Sequence, residues 1–162
     1  MSEPAIAPAA TYEADFYAWT QDQARRLREA ATARSNLPLD FDNLAEEVES
    51  MGKSEARTVR SHLARVLEHL LKLEYSPAAS PRRGWQQSVL AHRIDAEDEL
   101  TDSPSLLSKL NLDRIYKLGR TYATNGLARD DIALSQLPPD CPYTLEQLLD
   151  FDWWPVSRHG LE

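Results

Sequence analysis

The chain has 162 residues, 42% hydrophobic and 27% charged, with 18 Lys and Arg against 26 Asp and Glu for a net charge of −8. That length suits one domain with its own core, and the acidity argues against general nucleic-acid binding by the whole chain. Cys141 is the single cysteine, which excludes an intramolecular disulfide and a cysteine-only metal site and fits a reducing cytoplasm.

Met1–Ala10 is rich in Ala and Pro, lacks a basic start and has no continuous apolar stretch. Residues 1–11 therefore read as a disordered tail and not as a secretory signal. A first helix is predicted over Glu13–Ala33, with Phe16, Trp19, Gln23, Leu27 and Ala30 on one face. Asn36 and Pro38 break it. Asp40 or Asp42 then caps a second helix, whose first turns carry Glu46, Glu47 and Glu49.

The second helix carries the clearest pattern of the chain. Ala45, Val48, Gly52, Ala56, Val59, Leu63, Val66, Leu70 and Leu73 step by threes and fours, the period of a helix with one buried face. Gly52 falls on that stripe and marks a close approach by a neighbouring helix. The helix ends near Tyr75, ahead of Pro77 and Pro81. A third helix is predicted over Gly84–Leu100 with Trp85, Val89, His92, Ala96 and Leu100 facing inward. Ser103-Pro104 starts a fourth, which runs to Asn125-Gly126 and buries Leu107, Leu110, Ile115, Leu118 and Tyr122. Thr144 and Gln147 make a capping box for a short helix over Leu145–Asp150. Phe151, Trp153 and Trp154 follow and clip the end of the chain onto the core.

The expected fold is an all-α, single-domain up-down bundle over 12–155, with four long helices, a short C-terminal helix, an aromatic clasp and a tail at 156–162. No run nears the ~18 apolar residues that a membrane helix needs.

Metal and enzyme motifs are missing. Glu-x-x-His is absent, because Val59, Val66 and Val89 stand three residues before His62, His69 and His92. So are His-Glu-x-x-His, a Gly-rich phosphate loop and a Gly-x-Ser-x-Gly elbow. What remains is a column of Glu55, His62 and His69, spaced by seven on the second helix, with His92 on the third. Converging, they would hold a divalent ion such as zinc. The plainer account makes them boundary residues and ion-pair partners, and no cofactor is required.

Charge is uneven along the chain. Residues 53–93 carry eight Lys and Arg against three Glu, whereas residues 1–52 carry four against ten and 94–162 carry six against thirteen. Arg82 and Arg83, together with Trp153 and Trp154, are the candidate surface for a protein partner. Arg82, Arg83 and Arg93 with Trp85 are the weaker candidate for nucleic acid. A homodimer through an exposed helix face is also open.

Several stretches carry a family resemblance: Tyr12–Gln23, Leu44–Glu55, His69–Leu73, Asp102–Leu106 and Cys141–Asp150. On these the chain resembles the bacterial family called domain of unknown function 29. The resemblance implies a small all-helical cytoplasmic protein without an assigned activity. Its matching positions are Asp15, Trp19, Glu46, Glu47, Glu49, Gly52, His69 and Trp85, while His92 departs from the pattern. Together these readings favour a protein-interaction module over an enzyme, with a divalent-metal-binding bundle, a hydrolase by its His/Glu cluster, as the alternative and a weak nucleic-acid binder through the second and third helices as the third.

Overall fold

The computed structural model describes residues 10–34 and 36–162. Of the expected N-terminal tail, residues 1–9 lie outside the described residues, as does Ser35. The chain is all-α, with no strand among the described residues. Its helices are α1 (Phe16–Thr32), α2 (Phe41–Tyr75), α3 (Arg82–Asp102), α4 (Leu112–Leu127) and the short α5 (Leu145–Leu149). The residues divide into two compact units. One holds the chain up to Arg57 with Leu100–Lys109, the other Thr58–Glu99 with Leu110–Glu162.

In the first unit, Asp15 organises two elements. Its Oδ1 accepts from Ala18 N at 2.8 Å, which caps α1, and from Ser105 Oγ at 2.9 Å. Its Oδ2 accepts from Ser105 N at 2.8 Å. Ser103 Oγ accepts from Tyr17 N at 3.1 Å, so both chain segments trade caps. The buried face of α1 is centred on Thr20 and Ala24, not on Phe16, Trp19 and Gln23 as the spacing predicts. Small residues win that face because α2 comes close. A Cβ at Gly52 would collide with Thr20 Oγ1 and come within 2.9 Å of Gln21 Nε2. Phe16 and Trp19 are instead half-buried and pack with the exposed Tyr12, with ring centroids 5.0–6.0 Å apart.

α2 begins at the expected cap, where Asp40 Oδ1 accepts from Asn43 N at 3.3 Å. Its 35 residues span about 52 Å at ~1.5 Å per residue. The predicted stripe is buried at Ala45, Gly52, Val59, Leu63, Val66, Leu70 and Leu73, with Val48 and Ala56 half-buried.

The second unit is the better covered. There Ala64, Leu67 and Leu71 of α2 are also fully buried, so the inward face is wider than one stripe. Each such leucine contributes about 1.5–3 kcal/mol on burial. Gly119 of α4 makes the tightest approach, where a Cβ would lie 2.7 Å from Leu67 Cβ and 2.8 Å from the Ala64 carbonyl oxygen.

The predicted fourth helix is corrected at both ends. Pro104–Lys109 forms a 3₁₀ turn, and α4 starts only after Asn111, whose side chain accepts from Arg114 N at 2.8 Å. Asp15 and Tyr17 have already taken the polar groups of Ser103 and Ser105, which holds that turn in the first unit. The break shifts the register, so Leu106 is buried and Leu107 is 48% exposed. At the other end α4 runs through Asn125-Gly126 to Leu127: Gly126 keeps negative-φ helical backbone and not a left-handed turn, and the Lys72 side chain packs where its Cβ would be.

α5 has both bonds of its capping box, Gln147 N to Thr144 Oγ1 at 3.2 Å and Thr144 N to Gln147 Oε1 at 2.9 Å. The C-terminal residues are clasped to the second unit. Arg93 donates to the carbonyls of Leu148, Gln147 and Trp153 at 2.9, 3.0 and 3.1 Å. Arg82 donates to those of Leu73, Leu161 and Glu162 at 2.8, 3.2 and 3.2 Å. Glu74 accepts from Tyr143 OH at 2.6 Å and from Arg158 Nε at 3.2 Å.

Candidate functional site

The predicted histidine cluster assembles only in part. α2 and α3 follow one another across residues 76–81, so His62 and His92, thirteen residues before Tyr75 and ten after Arg82, meet side by side. Their Nδ1 atoms are 3.0 Å apart. The third group is Asp95, one turn beyond His92, with its Oδ2 3.5 Å from His62 Nδ1 and 4.0 Å from His92 Nδ1. Among the described residues these are the three whose ligand atoms fall within 4.8 Å of one another. Side-chain exposure is 24% for His62, 30% for His92 and 52% for Asp95, so the group sits at the water boundary. Burial, then the neighbouring His62, lowers the pKa of His92 and favours its neutral, ligand-competent form.

His69 and Glu55 do not join. His69 has a buried Nδ1 without a hydrogen-bond partner among the described residues, and burial pulls its pKa down to about 4. Glu55 lines a hollow of about 360 Å³ in the first unit with Glu13, Asp102, Tyr12 and Phe16. Asp95 escaped sequence reasoning because the motifs tested were built on Glu. The His-x-x-Asp spacing of His92 and Asp95 is the signal that finds it.

The predicted interaction surface is corrected too. Arg82 is 6% exposed and Arg93 is fully buried, each engaged by three carbonyls. Neither can meet a protein or a phosphate backbone, which leaves Arg83 as the exposed member of that set. Trp153 and Trp154 are half-buried in the clasp: Trp153 packs edge-on against Tyr143 at 5.3 Å, and the Arg93 guanidinium lies 5.1 Å from the Trp154 ring. Much of the other positive charge in 53–93 is paired at short range. Lys72 and Arg65 reach Glu68 at 2.6 and 2.8 Å, and Lys53 reaches Glu49 at 3.2 Å.

Exposed apolar side chains occur in both units, and one group of them lies at and before the start of α2. Leu37, Leu39, Leu44 and Met51 are 61%, 52%, 40% and 48% exposed, all in the first unit. Leu44 and Met51 are seven residues apart and so share one face of α2. Around them stand exposed Asp42, Glu46 and Glu47, which form no ion pair among the described residues, and no Lys or Arg occurs between Asn36 and Gly52. Glu49, by contrast, is held by Arg28 at 2.9 Å. Cys141 lines a hollow of about 370 Å³, where burial raises its thiol pKa and favours the protonated form.

These features define an all-helical protein whose described residues include no helix long and apolar enough to cross a membrane. The chain belongs to the family described as domain of unknown function DUF29, whose model matches residues 11–154. It is also similar to a solved structure, an alpha-helical protein of unknown function from Rhodospirillum rubrum. The two are 29% identical with a TM-score of 0.78, over 89% of this chain and 92% of that one. No curated protein matches the chain. Of the positions that carried the family resemblance, Asp15 caps α1, Gly52 admits α1 to α2, and Glu46 and Glu47 are exposed.

Proposed function

We propose that this protein is an interaction module whose working surface is the first three turns of α2 and the segment before them. The observation that supports the reading is the coincidence of Leu37, Leu39, Leu44 and Met51, all exposed, with Asp42, Glu46 and Glu47, all unpaired among the described residues. An apolar strip edged by one sign of charge suits a partner segment with an apolar face edged by Lys and Arg. Such a face gains hydrophobic contact at its centre and electrostatic register at its rim. A second copy of the chain suits it less well, because two such faces would oppose like charges. The cytoplasm is the location we infer, supported by the single cysteine.

The test is capture of partners from the source cell's lysate by tagged wild-type protein and by the Leu44→Glu/Met51→Glu double variant. Both positions are exposed, so the variant keeps the wild-type melting temperature. A stoichiometric partner held by the wild type at low salt, weakened at high salt and lost by the variant is the expected result. Equal capture by both proteins would contradict the reading.

A further inference from the structure

The group at the α2–α3 hairpin lies outside that surface and carries a chemistry of its own. We propose that His62, His92 and Asp95 form a binding site for a zinc-class divalent ion, with a fourth position left to water.

Three observations support this. The first is the donor set: two imidazole nitrogens and one carboxylate oxygen are ligands that zinc and its first-row neighbours accept. The second is spacing. A tetrahedral ion held at about 2.0–2.2 Å sets its ligand atoms roughly 3.3–3.6 Å apart. The three separations here are 3.0, 3.5 and 4.0 Å, which bracket that edge. Small rotations of half-exposed side chains equalise them.

The third is what the alternative leaves undone. Two Nδ1 atoms at 3.0 Å can share one proton, one ring donating to the other. That bond needs no carboxylate, yet Asp95 turns its Oδ2 toward both nitrogens. A cation at the centre of the three atoms uses every group present. Binding at both Nδ1 atoms moves the shared proton to Nε2 of the ring that carried it, so each imidazole stays neutral with its N–H on Nε2, as metal ligation requires. Two ligands come one turn apart from α3 and one from α2, so the ion ties the hairpin together. Partial exposure of all three leaves room for water in the open position.

Wild-type protein stripped with chelator and titrated with zinc chloride alone at neutral pH tests the site. One zinc per chain, a higher melting temperature on loading, and the visible absorption of tetrahedral cobalt(II) on substitution are expected. His92→Gln and Asp95→Asn should each weaken binding by about 100-fold or more, against the 10–100-fold typical of losing a supporting group. His69→Gln should leave binding unchanged. Both ligand variants alter partly exposed side chains, so a retained melting curve separates lost binding from lost folding. Absence of saturable uptake, unaltered affinity in His92→Gln, or equal loss in His69→Gln would overturn the assignment.

Discussion

Gly119 and His69 show how much single positions in the second unit decide. At Gly119 an added Cβ meets the Leu67 side chain and, more seriously, the Ala64 carbonyl of α2. A side chain can rotate away and a helix backbone cannot, so the two helices must part. Gly119→Ala should cost about 1–3 kcal/mol, the range for overpacking a filled core, although alanine is the better helix former. Urea unfolding measures it, and a stabilised variant would contradict the packing described. His69 acts through pH. Its pKa falls from the usual 6.5 to about 4 because burial disfavours the imidazolium. Below the ordinary value the unfolded chain takes up a proton that the folded chain refuses. The contribution is therefore fully present above about pH 6.5 and is lost as the pH falls toward 4. His69→Gln lacks it. The melting temperature of the wild type should fall more than that of the variant between pH 7 and pH 4.5, and parallel curves would sink the idea.

Among the elements, the junction built on Asp15 does most to separate what sequence reveals from what it hides. The carboxylate caps α1 and holds the backbone N–H and hydroxyl of Ser105, 90 residues away. Asp15→Ala removes an N-cap, worth about 1 kcal/mol, and leaves the Ser105 amide without its acceptor. A total loss of about 2 kcal/mol is expected, together with faster proteolysis in Pro104–Lys109. A loss under ~0.5 kcal/mol would mean that water replaces the carboxylate. This junction explains why α4 starts later than Ser103-Pro104 predicts. Ser103-Pro104 is a sound local start signal, but long-range bonds to Asp15 and Tyr17 claim its polar groups, and periodicity carries no record of such a contact. Where local and tertiary preferences agree, the reading succeeds: the α2 stripe, the Gly52 approach and the Thr144–Gln147 box all stand as the spacing predicts. On α1 the apolar residues are the large ones, yet Thr20 and Ala24 are buried, because close helix packing selects by size as well as by hydropathy. The candidate site was legible to the same degree. His62 and His92 could be named from spacing, and His69 stands about 10 Å further along α2 at ~1.5 Å per residue, whereas Asp95 depends on where α3 packs against α2.

For the whole molecule, charge explains which surfaces are free. The basic residues of 53–93 look from sequence like a surface for partners, yet Arg82 and Arg93 hold the C-terminal segment through backbone carbonyls. Arginine suits this task because its rigid fork satisfies several acceptors at once. The aromatic residues nearby serve the same clasp. The acidic, leucine-bearing start of α2 sets exposed apolar side chains beside carboxylates that form no ion pair among the described residues, which is why the proposed function rests there. The most direct test is a photo-crosslinking amino acid placed at Met51, with the same residue at Leu90 as reference, irradiated in the source cells. Leu90 is 37% exposed and belongs to the other unit. The account predicts one discrete crosslinked protein at position 51, with a basic amphipathic segment at the point of attachment, and none at position 90. The same products at both positions, or none at 51, would contradict it.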